Sequence, residues 1–184
     1  MFDLTRITHY TDAKPEDVRI GDRVSIDLKD GRKFTATAYN VTEDKAFFIF
    51  DELVERRAIN RNGSTKGGFE ESDLCKWLNS EFKDLLPEWV NSICTDEGIF
   101  VLSLQEMFGL NEDFDECEGQ LEFFKDPKNR VCNVQREEDT EWYWLRDVVS
   151  SSSFANVYRN GGCTYLNASF ANIGVRPAFG ISRS

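Results

Sequence analysis

Glu141-Trp142-Tyr143-Trp144-Leu145-Arg146 is the stretch on which the fold turns. Its large side chains alternate, so in an extended chain Trp142 and Trp144 share one face while Tyr143 takes the other. One face is therefore expected to be core. Downstream, Gly174-Val175-Arg176-Pro177-Ala178-Phe179 sets a lone arginine inside an apolar strand. A guanidinium there must find carboxylate or carbonyl partners to offset its desolvation, so Arg176 is expected to tie strands together. Short alternating runs at 155–158, 163–167 and 175–181 make the C-terminal third β and loop.

Upstream, residues 24–28 alternate apolar and polar, 29–32 supply a turn, and 34–40 return, which predicts an antiparallel pair. Lys45-Ala46-Phe47-Phe48-Ile49-Phe50 is nearly continuous in apolar character, as in a central strand covered on both faces. Residues 60–68 have no periodicity and much turn chemistry, so a mobile loop is expected there. Ser72 can cap a helix, and Leu74, Trp77, Leu78, Phe82 and Leu85 then recur at helical spacing. Pro87 stops that helix and opens a short one over 87–93, with Trp89, Val90 and Ile93 facing inward. Residues 99–104 predict a short buried strand, and Ser103 begins a helical turn through Met107 and Phe108. The expected fold class is α+β, with N-terminal antiparallel β-strands, central helices and a C-terminal β and loop region. One domain is expected over 1–184, divided into an N-terminal extension (1–20), a hairpin and helical part (21–140) and a β core with a surface segment (141–184).

Composition limits the function. A chain of 184 residues with Phe 15 and Trp 4 can bury a real core. Its net charge of -11 repels phosphate backbones and anionic membranes, so direct nucleic-acid binding is not expected. The longest apolar runs fall far short of the roughly 20 residues that cross a bilayer, so no membrane association is expected. Residues 1–20 carry Asp3, Asp12, Glu16 and Asp17 rather than a basic start and an apolar block, which predicts a cytoplasmic location. Cys75, Cys94, Cys117, Cys132 and Cys163 lie far apart with no C-x-x-C pair and read as reduced, small apolar side chains. His9 is the one histidine, which disfavours histidine-based catalysis and multi-histidine metal sites.

The acidic block 111–118 invites a metal test. Asn111, Asp113, Asp115 and Glu122 have the spacing of a helix–loop–helix calcium loop, but Glu116 stands where the sharp turn needs glycine. A solvated acidic loop is the default, and no metal or other cofactor is expected. The chain has no G-x-S-x-G, and Gly67-Gly68 and Gly161-Gly162 lack the Lys-Ser/Thr of a phosphate loop, so no catalytic residue is assigned and an enzyme is not expected. The segment 150–172 is rich in Tyr, Asn, Ser and Gly, the residues of adaptable binding surfaces. If Ala155 and Val157 face the core, then Asn156, Tyr158 and Asn160 face outward, and Tyr165, Asn167, Phe170 and Asn172 can cluster nearby. These seven are the candidate ligand-binding residues.

Four blocks together resemble a known family: residues 68–82, residues 101–106, Trp142-Tyr143-Trp144-Leu145-Arg146, and Gly174-Val175-Arg176-Pro177-Ala178-Phe179. They look like a bacterial and phage family of domains of unknown function. Its C-terminal part is similar to the C-type-lectin-like fold of formylglycine-generating enzymes and of the variable proteins of diversity-generating retroelements. The resemblance covers residue 21 to the C-terminus. It implies that Trp144, Leu145, Arg146 and 175–179 form the lectin-like framework, while 150–172 occupies the segment that retroelement proteins vary for ligand binding. Asp147-Val148-Val149 departs from the family's Ser-Pro after Leu-Arg, the catalytic cysteines of formylglycine-generating enzymes have no counterparts, and no calcium-dependent sugar motif is present. The expected function is a non-catalytic module that recognises a protein or glycan ligand. The alternative is a small acidic inhibitor, of a kind that phages encode, that binds a basic nucleic-acid-handling protein through the acidic segments 111–118 and 137–141.

Overall fold

The computed structural model describes residues 3–6, 9–12, 14–134 and 141–183. β1 (Asp3–Arg6) and β2 (His9–Asp12) pair antiparallel, and β1 pairs in turn with β3 (Arg23–Asp27). The segment read as an extension thus adds two strands to a sheet. β3 and β4 (Lys33–Val41) form the expected hairpin, and β4 pairs with β5 (Lys45–Phe50). The short β6 (Glu52–Leu53) and β7 (Glu55–Arg56) then lead to the turn-rich segment before the helices.

The Ser72 hydroxyl accepts the Cys75 N–H at 3.0 Å and so caps α1 (Asp73–Trp77), as its position predicts. The helix continues through a π turn, Leu78–Phe82, into α2 (Lys83–Leu85) and buries Leu74, Trp77, Leu78 and Phe82. α3 (Glu88–Ile93) follows Pro87 and runs into β8 (Cys94–Phe100). β8 begins five residues before the strand expected from apolar character, because its partner is the last strand of the chain, which pairs as far back as Cys94. Ser103 caps α4 (Leu104–Phe108) reciprocally with Glu106, and Gly109, in the left-handed region at φ 66, ends it. α5 (Glu122–Lys125), β9 (Asn133–Val134), β10 (Tyr143–Ser150), β11 (Ser153–Val157), β12 (Cys163–Asn167), β13 (Gly174–Val175) and β14 (Ala178–Ser182) complete the chain.

The strands form a seven-stranded sheet, β2-β1-β3-β4-β5-β14-β8, a five-stranded sheet, β12-β11-β10-β13-β7, and a β6-β9 pair. With the short helices this is a mixed α+β architecture. β5 is interior, as its apolar run predicts, because β14 lies between it and β8 and sets Phe179 opposite both Phe48 and Ile99. The Phe48 and Phe179 rings stack at 5.6 Å, and Phe50 meets Phe82 edge to face at 5.8 Å. One continuous core therefore draws on Val24, Phe48, Leu78, Trp144 and Phe179.

Two expectations need correction. The aromatic strand is covered on both faces, not one: Trp144 packs into that core and Tyr143 into a second one with Met107, Phe124 and Leu145. Residues 60–68 are docked rather than loose. Asn60 N–H donates to Ala168 O at 3.0 Å, the Thr65 hydroxyl donates to Ser150 O at 2.8 Å, and both residues are buried. Turn residues whose polar groups are satisfied by another element's carbonyls are tied to that element.

Arg176 is buried and structural, as expected. Its Nε donates to Phe50 O at 2.8 Å, while one Nη donates to Asn129 O at 3.0 Å and to the Tyr143 hydroxyl at 3.3 Å.

Candidate functional site

The candidate residues sit on the β11–β12 hairpin and the turn after it. Ala155 opposes Tyr165, Val157 opposes Cys163, and Ser153 opposes Asn167. Ala155, Val157 and Cys163 belong to the core around Tyr143, so Tyr165 shares that face. Phe154 and Leu166 belong to the core around Trp144, and Asn156 and Thr164, two positions along, share that Trp144 face, opposite Tyr165.

This alternation divides the expected cluster. Tyr158 follows Val157 and lies on the Trp144 face, where its ring meets Trp142 at 4.8 Å. Together with Arg159 and Asn160 these two rings line an open cleft. Tyr165 lies on the other face, with its ring 6.0 Å from Phe114 of the acidic loop. Phe170 and Asn172 are exposed in the turn beyond Asn167, at the end of the hairpin away from Tyr158. The half-buried Asn167 spends its side-chain oxygen on Ser169, accepting the backbone N–H at 3.0 Å and the hydroxyl at 2.8 Å.

Asn156 does not face outward. It is fully buried, and among the described residues neither amide atom has a hydrogen-bond partner. Alternation placed it correctly opposite Ala155 and Val157, but both faces of the sheet are covered, so the opposite face is core as well.

Trp142, Arg159 and Phe114 are the neighbours the sequence reading did not assign to a site. Trp142 was hidden by its alternation with Trp144, which reads as core. Phe114 had a signal of its own, as a large apolar side chain inside a run of acids. It holds φ 63, the left-handed region, in a residue other than glycine.

Electrostatics on the cleft side centre on Glu141, whose carboxylate lies 3.3 Å from Arg159 and 3.6 Å from Arg56. Residues 137–140 of the second acidic segment lie outside the described residues. In the first, the Asn111 side-chain oxygen accepts the N–H of Asp113 at 3.0 Å and of Asp115 at 2.9 Å, which closes a local turn. Glu122 belongs to α5 and pairs with Lys125 rather than reaching back to that turn. Among the described residues, no three His, Cys, Asp or Glu side chains are grouped to hold a metal ion.

A second groove runs between α1 and β8, lined in part by Cys75, Asn79, Glu97 and Arg146. Burial pushes the Cys75 and Cys94 thiols up, away from the thiolate a nucleophile needs. The Lys45 ammonium holds Glu97 down at about 2 through a hydrogen bond. Burial raises the Asp147 carboxyl, against the Leu104 N–H that it accepts at 2.7 Å. Deeper in, burial pushes Cys132 up to about 11 and Tyr143 up to about 12, with Arg176 pulling both back. These shifts come from packing and structural ion pairs, and each of the Cys75, Cys94 and Cys132 thiols is held toward its protonated form.

Residues 90–183 match the model of a family described as Domain of unknown function (DUF6273). The match begins within α3 and runs through β14, so it takes in the hairpin and both aromatic patches. No curated protein and no solved structure matches the chain.

Proposed function

The chain belongs to the DUF6273 family of domains of unknown function, which brings no activity with it, and we propose from its own residues that it is a non-catalytic binding module. The ligand, a protein or a glycan, is taken by the C-terminal Tyr/Asn/Ser-rich surface. One observation carries this reading. Of the four large apolar side chains exposed among the described residues, Tyr158, Tyr165 and Phe170 all fall on the β11–β12 hairpin and its following turn, and only Ile20 lies elsewhere. Exposed aromatics carried by one short segment, even on its two faces, favour recognition, because rigid rings give contact area at small entropic cost. We read the segment 150–172, hung between β10 and β13, as the ligand-bearing part of a C-type-lectin-like framework built on Trp144, Leu145 and Arg146. The buried anchoring of Trp144, whose indole N–H donates to Arg57 O at 2.7 Å, supports that reading.

Affinity capture from host lysate at low and high salt, followed by affinity measurement on the retained partner, tests it. Tyr158→Ala and Tyr165→Ala are each expected to cost roughly 1–3 kcal/mol of binding where the ring is an anchor. Unchanged affinity in the double variant would defeat the assignment. The acidic-inhibitor reading, with a phage origin, remains the second proposal, favoured by the contact of acidic-loop Phe114 with Tyr165. It requires that a basic partner be retained at low salt and released at high salt.

A further inference from the structure

The five-stranded sheet ends at β12, and among the described residues no strand pairs with the outer edge of that strand. In antiparallel pairing every second pair of residues exchanges hydrogen bonds. Tyr158 N–H donates to Gly162 O at 2.8 Å at one end of the hairpin, and Ala168 N–H donates to Ser152 O at 2.8 Å at the other. The register between them is unbroken. Gly162, Thr164 and Leu166 therefore turn their peptide groups toward β11, and Cys163 and Tyr165 turn theirs away from the sheet, whereas the Asn167 carbonyl already accepts Phe170 N–H at 3.0 Å.

The other sheet handles its edge differently. β8 is an edge strand too, but the Asn79 amide covers it, donating to Ile99 O at 2.8 Å and accepting Ile99 N–H at 2.8 Å. Edge strands are commonly blunted in this way, or by charge, proline or a bulge. β12, Cys163-Thr164-Tyr165-Leu166-Asn167, carries no charged residue, proline or bulge of its own.

The charge beside the edge selects the occupant. The contact between Phe114 and Tyr165 brings the loop bearing Glu112, Asp113, Asp115 and Glu116 alongside β12. Edge-to-edge pairing of two copies would bring two such loops together in a chain of net charge -11, so a second copy is disfavoured. A cationic strand is favoured.

We propose that the outer edge of β12 accepts an extended, lysine- or arginine-bearing segment of a partner protein as an added strand. Main-chain hydrogen bonds to Cys163 and Tyr165 hold it, Tyr165 and Phe114 pack against an apolar side chain, and the acidic loop pairs with its cations. This rests on the binding-module reading above and names the partner class and the mode.

Panning a random linear-peptide library against the full chain tests it. The enriched peptides are expected to mix β-branched or aromatic residues with Lys or Arg, and to lose affinity as salt rises. Tyr165→Ala keeps the outward N–H and is expected to weaken such a peptide on the order of tenfold, whereas Tyr165→Pro also removes that N–H and is expected to weaken it on the order of a hundredfold. Continued protection of the Thr164 and Leu166 amides from hydrogen exchange verifies that the proline variant is folded. If that variant does not fold, peptides N-methylated at alternate positions replace it, and one of the two methylation phases must abolish binding. Equal losses in the two variants, or tolerance of both methylation phases, would overturn strand addition while leaving side-chain recognition by this surface intact. No enriched basic peptide, with capture of a partner still dependent on Tyr158 and Tyr165, would also overturn it alone. Enriched peptides indifferent to Tyr158, Tyr165 and Phe114 would sink both readings. Protection of the Cys163 and Tyr165 amides that grows with protein concentration would assign the edge to a second copy and overturn the proposal.

Discussion

Asn156 is a polar residue between two apolar ones on β11, yet it is as buried as they are. Its alternation with Ala155 and Val157 correctly assigned it to the other face, next to its cross-strand partner Trp144. Nothing in that alternation reveals that the other face is also covered. A buried amide without partners forfeits its hydration, at a cost of about 1–3 kcal/mol. Asn156→Leu has similar volume and no polar atoms to satisfy, so it is expected to raise unfolding stability by about 1 kcal/mol in a urea titration. A loss of that size instead would mean that the amide contributes to the fold. Tyr158 and Tyr165 teach the converse lesson. Both are exposed as their composition suggests, but an odd number of strand positions separates Tyr158 from the residue facing Tyr165, so one hairpin presents them on opposite sides.

Among the elements, the helix after Ser72 was largely legible, because its cap and its three-and-four spacing are local properties. Its π turn was not. Lys83 N–H reaches Leu78 O, and Asn79 within that turn spends its amide on the peptide groups of Ile99. Asn79→Ala removes both bonds and opens the β8 edge, which is expected to cost about 1–3 kcal/mol in thermal or chemical unfolding and to promote association. Gly98 is a second route to the same damage. It has φ +69, and a Cβ there would stand 2.3 Å from the Asn79 side-chain oxygen, so Gly98→Ala is expected to lower the melting temperature as well. Unchanged melting of both variants would show that the amide is not what closes this edge.

At the scale of the whole molecule, Arg176 joins parts that the chain order keeps apart. It bonds Phe50 of the larger sheet, Tyr143 of the smaller one and Asn129 of the segment before β9. Arg176→Met fills much of the same space but leaves buried carbonyls unmatched, so a loss of about 3 kcal/mol or more is expected in a denaturant titration. Arg176→Lys is expected to rescue little, since one ammonium cannot reproduce the fork. A change below about 1 kcal/mol in both would remove Arg176 as a tie between the sheets. By itself the sequence determined the β3–β4 hairpin, the interior β5, the caps at Ser72 and Ser103, the structural role of Arg176 and the surface exposure of Tyr158, Tyr165 and Phe170. Each of these follows from residue type and spacing within one element. Tertiary structure alone decided that β14 enters between β5 and β8, that 60–68 docks on the C-terminal sheet, that Asn156 is buried, and that Phe114 meets Tyr165. The physical reason is that periodicity reports what an element does with its own two faces. Which distant segment covers each face, and which edge is left open, depends on contacts between residues far apart along the chain, as when the Trp144 indole N–H reaches Arg57 O.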